Sequence, residues 1–503
     1  MKLFPSKLRT VNSSKPTFDV ERNPHAPMIG LRFTSRVAKR TFSSLRTKPL
    51  HLPPTNPTFA IPSHEVVDEE RFLNDGLQDF YPARPGETLG NNYQLLAKIG
   101  WGTSSTVWLA RDLTRYQWQP ERTVAVKFLN SCYGKSGNDL LSIEETVAQK
   151  NPSHQGYGSV RTCQESFELE SPGRKNTCLV YEAMREPMTV FQQRFENGRM
   201  PLPVAKAYIG LLLLGLHKAV KEKDLLTRKI AIDLKLANIL MTFENEKAIP
   251  KFIHEQVTKF PMHYHTHPVT NRTTYRSYDG FGPMDVEDIA NVLPKITDFG
   301  SAWKFDNVDP ETKSQRQTVV TCPIQPDYYR APEVVLGYGW DFSADIWNFG
   351  VLVWNIIEGT ELFTQVQDAN GRYDPKSHLA EMIALLGPPP KEVIERAEYM
   401  SQVDYPCPIT IGTGKPCKNA REVFGGPYFD KEGKFLHEEL IPSRKLEDTI
   451  PSLDDSEREL FLSFARDMLT WVPSERKSAR ELTAHPFLNF GGHITMDLLE
   501  GRS

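Results

Sequence analysis

From Tyr93 the chain alternates apolar and polar positions through "YQLLAKIGWGTSSTVWLARD", with a glycine-rich break in the middle. A period of two predicts paired strands joined by a tight turn. "RTVAVKFLN" (122–130) repeats the pattern with β-branched residues and predicts a third strand, and "CLVYEAM" (178–184) predicts a further one. A polar helix is predicted over 138–150. Beyond it, apolar positions recur at helical spacing over 203–220, 343–358, 376–386 and 456–470. Strands first and helices afterwards predict an α+β arrangement in two lobes.

Composition refines this picture. No apolar run approaches the roughly 18–20 residues that span a bilayer. The longest, Ile209–Leu216, contains Gly210 and Gly215 and reads as a buried helix, so no membrane span is expected. Six scattered cysteines without a CxxC pair argue against a disulfide framework and suit a reducing, intracellular compartment, cytoplasm or nucleus. Residues 1–50 carry a net charge of +9 within a chain of −3, which leaves an acidic body. Such a body favours basic protein partners over nucleic acid. The basic segment 1–60 is rich in Ser, Thr and Pro. Its "RVAKRTFSSLR" (36–46) has the composition of a mitochondrial presequence, with an ordinary basic tail as the alternative. The chain then divides into an entry segment 61–92, a small lobe 93–184, a large lobe 185–492 with an insert at about 243–292, and a tail 493–503.

Several short motifs carry chemistry. Gly100-Trp101-Gly102-Thr103-Ser104-Ser105 sits in the turn between the first two strands, where glycines let backbone amides approach phosphates. Lys127 faces inward from an apolar strand and needs a phosphate or carboxylate partner. Asp233, Lys235 and Asn238 form D-x-K-x-x-N, which offers a carboxylate for a hydroxyl, a cation for a phosphate and an oxygen for Mg²⁺. Asp298-Phe299-Gly300 offers a second hard oxygen ligand. Ala331-Pro332-Glu333, Asp345-Ile346-Trp347 and Arg476 follow in order.

Over roughly residues 80–490 this set resembles the eukaryotic protein kinases, and within them the SR-protein kinases, particularly those of fungi. The resemblance lies in "DFYPARPGETLGNNYQLLAKIGWGTSSTVWLARD" (79–112) and in the lack of Arg before Asp233. It lies also in the 60 positions between Asn238 and Asp298, and above all in "IQPDYYRAPEVVLGYGWDFSADIWNFG" (324–350). It implies a bilobal kinase fold with a small antiparallel β-rich N-lobe and a large, mainly helical C-lobe. It also implies a monomeric enzyme that uses ATP and Mg²⁺ to phosphorylate Ser or Thr in basic, Arg/Ser-rich proteins. By position, Asp233 and Lys235 would be catalytic, and Asn238 and Asp298 would hold Mg²⁺. Ile99, Gly100, Gly102, Ser105, Val107, Lys127, Glu182 and Met184 would surround ATP, with Tyr181 as gatekeeper. Glu333 and Arg476 would form a structural ion pair.

Two departures stand out. Ala231 occupies the place of a catalytic-loop His, which leaves a gap expected beside Phe299. The helix Glu that should meet Lys127 is not evident: Leu140 holds the family position, and Glu144 is the choice among Asp139, Glu144 and Glu145. These departures keep a second reading open, a pseudokinase scaffold or allosteric binding module. His263, His265 and His267 form H-x-H-x-H in the insert, where a solvated loop is expected rather than a metal site. Thr312, Ser314, Thr318 and Thr321 lie where phosphorylation would act, and none is claimed.

Overall fold

The computed structural model describes residues 45–53, 56–72, 76–149, 152–171, 174–220, 229–231, 234–259, 261–305, 320–410 and 414–489. The presequence-like segment up to residue 44, Asp233, Thr312, Ser314, Thr318 and the tail 493–503 lie outside them. Residues 1–46 and 47–503 form separate units, and the description below concerns the second.

Six strands make one antiparallel sheet: β1 (Thr88–Leu89), β2 (Tyr93–Gly102), β3 (Ser105–Asp112), β4 (Thr123–Leu129), β5 (Glu165–Ser171) and β6 (Arg174–Glu182). Their order is β1-β2-β3-β4-β6-β5. The period of two explains both faces. Val124, Val126 and Phe128 of β4 join Leu95, Trp108, Cys178 and Val180 in the outer core. Ala125 and Leu129 point the other way, into the main core. There they join Leu140, Ile143 and Val147, the apolar stripe of α1 (Gly134–Gln149). The pattern did not announce β5, which carries Glu165, Glu168 and Glu170. They suit an edge strand, where charge discourages further pairing.

The larger lobe is built on α2 (Leu202–Val220), whose Ile209, Leu212, Leu213 and Leu216 are fully buried. This helix is long and apolar enough to cross a bilayer on length and composition alone. Here it is a core helix of the lobe. The remaining helices include α3 (Ala248–Thr258), α4 (Ser343–Glu358), α5 (Pro375–Leu386), α6 (Lys391–Met400) and α7 (Asp455–Arg466). Every residue of α4 is buried. Asp454 caps α7 by accepting from the Glu457 N–H at 3.0 Å, so part of the acidic 446–459 stretch is a helix start.

Glu333 and Arg476 meet as expected. Their side chains are fully buried and joined by two parallel bonds of 2.6 Å. Arg476 also donates to the Ser343 and Thr470 carbonyls. A buried guanidinium is tolerated because its donors are satisfied in this way.

The insert departs from expectation. It is not a solvated loop: after the short strands β7 (Lys229–Ala231) and β8 (Ile239–Met241) it folds as α3 and a hairpin of β9 (Tyr264–Thr266) and β10 (Thr273–Tyr275) that packs on the small lobe. Tyr275 belongs to the outer core of the sheet, and Phe252 and Phe281 pack with Ala97 and Leu109. The entry segment closes the same surface, with the Ile61 N–H bonded to the Tyr264 carbonyl at 2.7 Å. Lys98 on β2 is buried between them. It binds Asp68 at 3.0 Å, Glu69, and the Tyr275 carbonyl at 2.9 Å. His265, 4% exposed, turns Nδ1 to Glu70 at 2.9 Å. Among the described residues no cluster of three His, Cys, Asp or Glu is placed to hold a metal.

Truncating one member of the buried large-lobe pair strands the other charge. Arg476→Ala should therefore lose about 3–5 kcal/mol of unfolding free energy in urea titration. A loss below about 1 kcal/mol would show that the pair does not hold the lobe together.

Candidate active site

Between the lobes lies a cleft of about 330 Å³. Ile99, Gly100, Trp101 and Val107 roof it, Lys127 and Tyr181 back it, and Met184 edges it. Leu240, Asn238 and Asp298 form its floor. Eight of the sequence-predicted positions thus converge: Ile99, Gly100, Val107, Lys127, Tyr181, Met184, Asn238 and Asp298. Gly102 and Ser105 pair with each other at the tip of the β2–β3 turn, and Ser105 is buried. A Cβ on Gly102 would meet nothing within 4 Å, and one on Gly100 only Val107 at 3.8 Å. That leaves room for phosphate oxygens against the backbone.

The floor depends on one strand pair. β8 (Ile239–Met241) and β11 (Pro294–Ile296) are antiparallel, with Ile239 opposite Ile296. One step further, the Thr297 N–H and hydroxyl both donate to the Asn238 carbonyl, at 2.8 and 3.0 Å. Asn238 and Asp298 are 60 positions apart in sequence, yet this pairing makes them neighbours. From below, the α4 residue Asn348, itself fully buried, donates its amide to the Leu234 carbonyl at 3.2 Å and steadies the segment that leads to Lys235.

Electrostatics favour a charged Asp298. Its side chain is 47% exposed and meets the Lys127 ammonium at 2.8 Å. Lys127 holds its carboxyl below the usual carboxylate range against the opposing effect of burial, with further help from the Gly300 N–H and the Lys235 charge. Asp298 also takes the left-handed conformation, φ 60° and ψ 75°. Asp tolerates this better than most residues, and such geometry concentrates at working sites.

Glu144 turns inward from α1 and is 1% exposed, whereas Glu145 is exposed. Its carboxylate does not take the Lys127 ammonium. It accepts from the Tyr181 hydroxyl at 2.8 Å and the Cys163 N–H at 3.2 Å, while Lys127 bonds Asp298. Burial pushes the Glu144 carboxyl up, opposed by Tyr181, the Cys163 N–H and Lys127. Phe299 is fully buried in the main core with Leu140 and Ile143, so its ring is covered despite Ala231. The Ala231 backbone itself pairs with Trp303.

Cleft residues that sequence motifs did not flag are Arg161, Arg185 and Glu186, together with Ser277, Asp279 and Phe281 from the insert. Arg185 is buried and binds Glu186 at 3.1 Å, Glu244, and the Gly282 carbonyl at 3.0 Å, which ties the insert to the inter-lobe connection. Arg161 donates twice to the Glu182 carbonyl, at 3.0 and 2.6 Å, and Lys295 holds the Glu182 carboxylate at 2.6 Å.

The protein kinase domain family matches residues 285–488. A serine/threonine protein kinase of Aspergillus fumigatus is 30% identical, over 84% of this chain and 91% of that one. The chain belongs to the serine/threonine protein kinases. The kinase is also similar to a Physarum polycephalum serine/threonine-protein kinase named SRPK, at 25% identity over 85% of this chain and 93% of that one. A kinase domain solved by crystallography shares the fold, with TM-score 0.54 and 20% identity over 82% of this chain and 99% of that one.

The raised Glu144 carboxyl sets a sign for pH dependence. The fold prefers the neutral acid, so this group costs nothing below its ordinary value of 4.5 and costs more as pH rises through the raised value. Comparing melting temperatures of wild type and Glu144→Gln from about pH 5 to about pH 8 should show wild type losing ground as pH rises. A constant difference would contradict the assignment.

Proposed function

We propose that this kinase transfers the γ-phosphate of ATP to serine or threonine hydroxyls, in basic, Arg/Ser-rich proteins. The observation that supports this most is the Lys127–Asp298 ion pair beside Asn238 in a cleft of nucleotide size. In this reading the purine lies between Val107 and Leu240, against the backbone of Glu182 and Met184. Ile99, Gly100, Gly102 and Ser105 cover the phosphates, and Lys127 pairs with them. When bound, Mg²⁺ supplies charge neutralisation on the phosphates, and the oxygens of Asn238 and Asp298 would hold it. The donor set fits: both ligands offer hard oxygen, and Asp298 stays ionised. Asp233 orients the attacking hydroxyl and Lys235 steadies the transferred group.

The Arg/Ser preference rests on the likeness to the Physarum enzyme and on the acidic body, which attracts basic chains. A second reading, a pseudokinase scaffold, draws on Glu144 binding Tyr181 instead of Lys127. The enzyme is the better account because phosphoryl transfer relies on positioned charge, and that charge is present.

One assay separates them: purified full chain, Mg-ATP and an Arg/Ser-repeat peptide. Phosphate incorporation should fall at least about 100-fold in Asp298→Asn and Asp233→Ala. It should also weaken when peptide Arg is replaced by Lys. Absence of incorporation by wild type, or equal rates in the variants, would overturn the enzymatic reading.

A further inference from the structure

A second cavity, of about 890 Å³, opens on the small lobe between the entry segment and the β9–β10 hairpin. It shares no lining residue with the cleft between the lobes. Its wall is basic. Arg84 comes from the entry segment, Arg174 from the start of β6, and His265, His267 and Arg272 from the hairpin. The carboxylates in the wall, Glu65 and Glu70, are already engaged. Glu65 faces Arg276 at 3.4 Å, and Glu70 accepts from His265 Nδ1 at 2.9 Å and from the Val67 N–H at 3.1 Å. Arg174 is engaged too, with Asp79 at 3.1 Å.

The other cations lack partners. Among the described residues no carboxylate pairs with the guanidinium of Arg84 or Arg272, and Arg272 Nε is buried without a hydrogen bond. Burial pushes the Arg272 guanidinium down from its ordinary value, with Glu69 and Glu70 opposing and Arg174 adding repulsion. His265 is 4% exposed, and its Nε2 has no partner either. Its Nδ1 faces a carboxylate and so carries a proton, which leaves Nε2 open. His267 accepts from the Thr270 N–H through Nδ1 at 3.2 Å, so its proton stays on Nε2 as a donor. A buried polar atom without a partner costs free energy that a bound group would recover.

An anion with several acceptor oxygens fits these donors. A phosphate monoester carries about −1.5 to −2 charges and three such oxygens, and guanidinium groups bind it through paired N–H donors. Against His265, one proton lies between Nε2 and a phosphate oxygen, whichever atom holds it. The cavity is far larger than a phosphate and falls within the roughly 300–1,000 Å³ of sites that hold whole ligands. Val66 and Pro268 supply apolar wall for what the phosphate is attached to. Serine/threonine protein kinases place this group on protein chains. We propose that the cavity binds the phosphate of a phosphoserine in a protein chain, held by Arg84, Arg272 and His265. The family membership supports this choice of occupant, and the nucleotide pose has no part in it.

The test is calorimetric titration of the full chain with three probes: a short Gly/Ala peptide carrying one phosphoserine, the same peptide with serine, and inorganic phosphate. The phosphopeptide should bind at least about tenfold tighter than either of the others. Arg272→Gln should weaken that binding at least about tenfold and leave Mg-ATP binding unchanged. Arg84 is exposed, so Arg84→Gln reads the same loss if Arg272→Gln does not fold. Equal affinity for the two peptides, or phosphopeptide binding unchanged in both variants, would overturn the site. Inorganic phosphate binding as tightly as the phosphopeptide would overturn the protein chain as its occupant.

Discussion

A lysine ammonium inside a protein needs oxygen around it, and Lys98 finds that oxygen on two separate pieces of chain. It sits on β2 and takes Asp68 and Glu69 from the entry segment and the Tyr275 carbonyl from the insert. Asp68 then accepts from the Ser277 N–H at 2.7 Å, two residues beyond Tyr275. Ser277, Asp279 and Phe281 follow directly as the outer wall of the cleft. The charge that docks the insert on the small lobe therefore also places that wall. Without it, the Tyr278 N–H on the Lys98 carbonyl at 2.9 Å and aromatic contacts such as Trp108 with Tyr275 would be left to join this stretch to the sheet.

The insert enters at one end of β8 and leaves at the start of β11, and those two strands pair. A long excursion between paired strands costs little closure entropy, because that cost grows only logarithmically with length. The floor of the cleft is thus shielded from the size of the insert. Asn238 and Asp298 meet through the two hydrogen bonds from Thr297, whatever the chain does between them. Arg185 performs the corresponding task on the other side, binding Glu244 and the Gly282 carbonyl from the two ends of the insert.

Much of this was legible in the sequence, for a physical reason. β2, β3 and β4 alternate because each has two different faces, and α4 reads as continuously apolar because every residue is buried. Lys127 stood out as a charge in an apolar strand, and Asp298 is its partner. The α4 span 343–358 agrees at both ends, and α1 starts at Gly134, four residues before the predicted helix. What stayed hidden were contacts between distant segments. Lys98 has the same alternating setting as Lys127, but its partners lie some 30 and 177 positions away. The insert looked polar because its buried residues, Phe252, Tyr275 and Phe281, are widely spaced. Arg161 belongs to no motif, and only the fold brings its guanidinium to the Glu182 carbonyl. Glu144, chosen as the helix partner of Lys127, does face inward, but its bonds go to Tyr181 and Cys163 and Lys127 takes Asp298.

The buried Lys98 charge holds the insert, and with it the cleft wall, against the small lobe. Hydrogen-exchange mass spectrometry on wild type and Lys98→Met tests it most directly. Losing the ammonium leaves the Asp68 and Glu69 carboxylates buried without their cation, at a cost of about 3–5 kcal/mol. Amides of residues 264–281 and 61–70 should therefore exchange at least about 100-fold faster, while α4 and α7 keep their protection. Unchanged exchange over 264–281 would contradict the account.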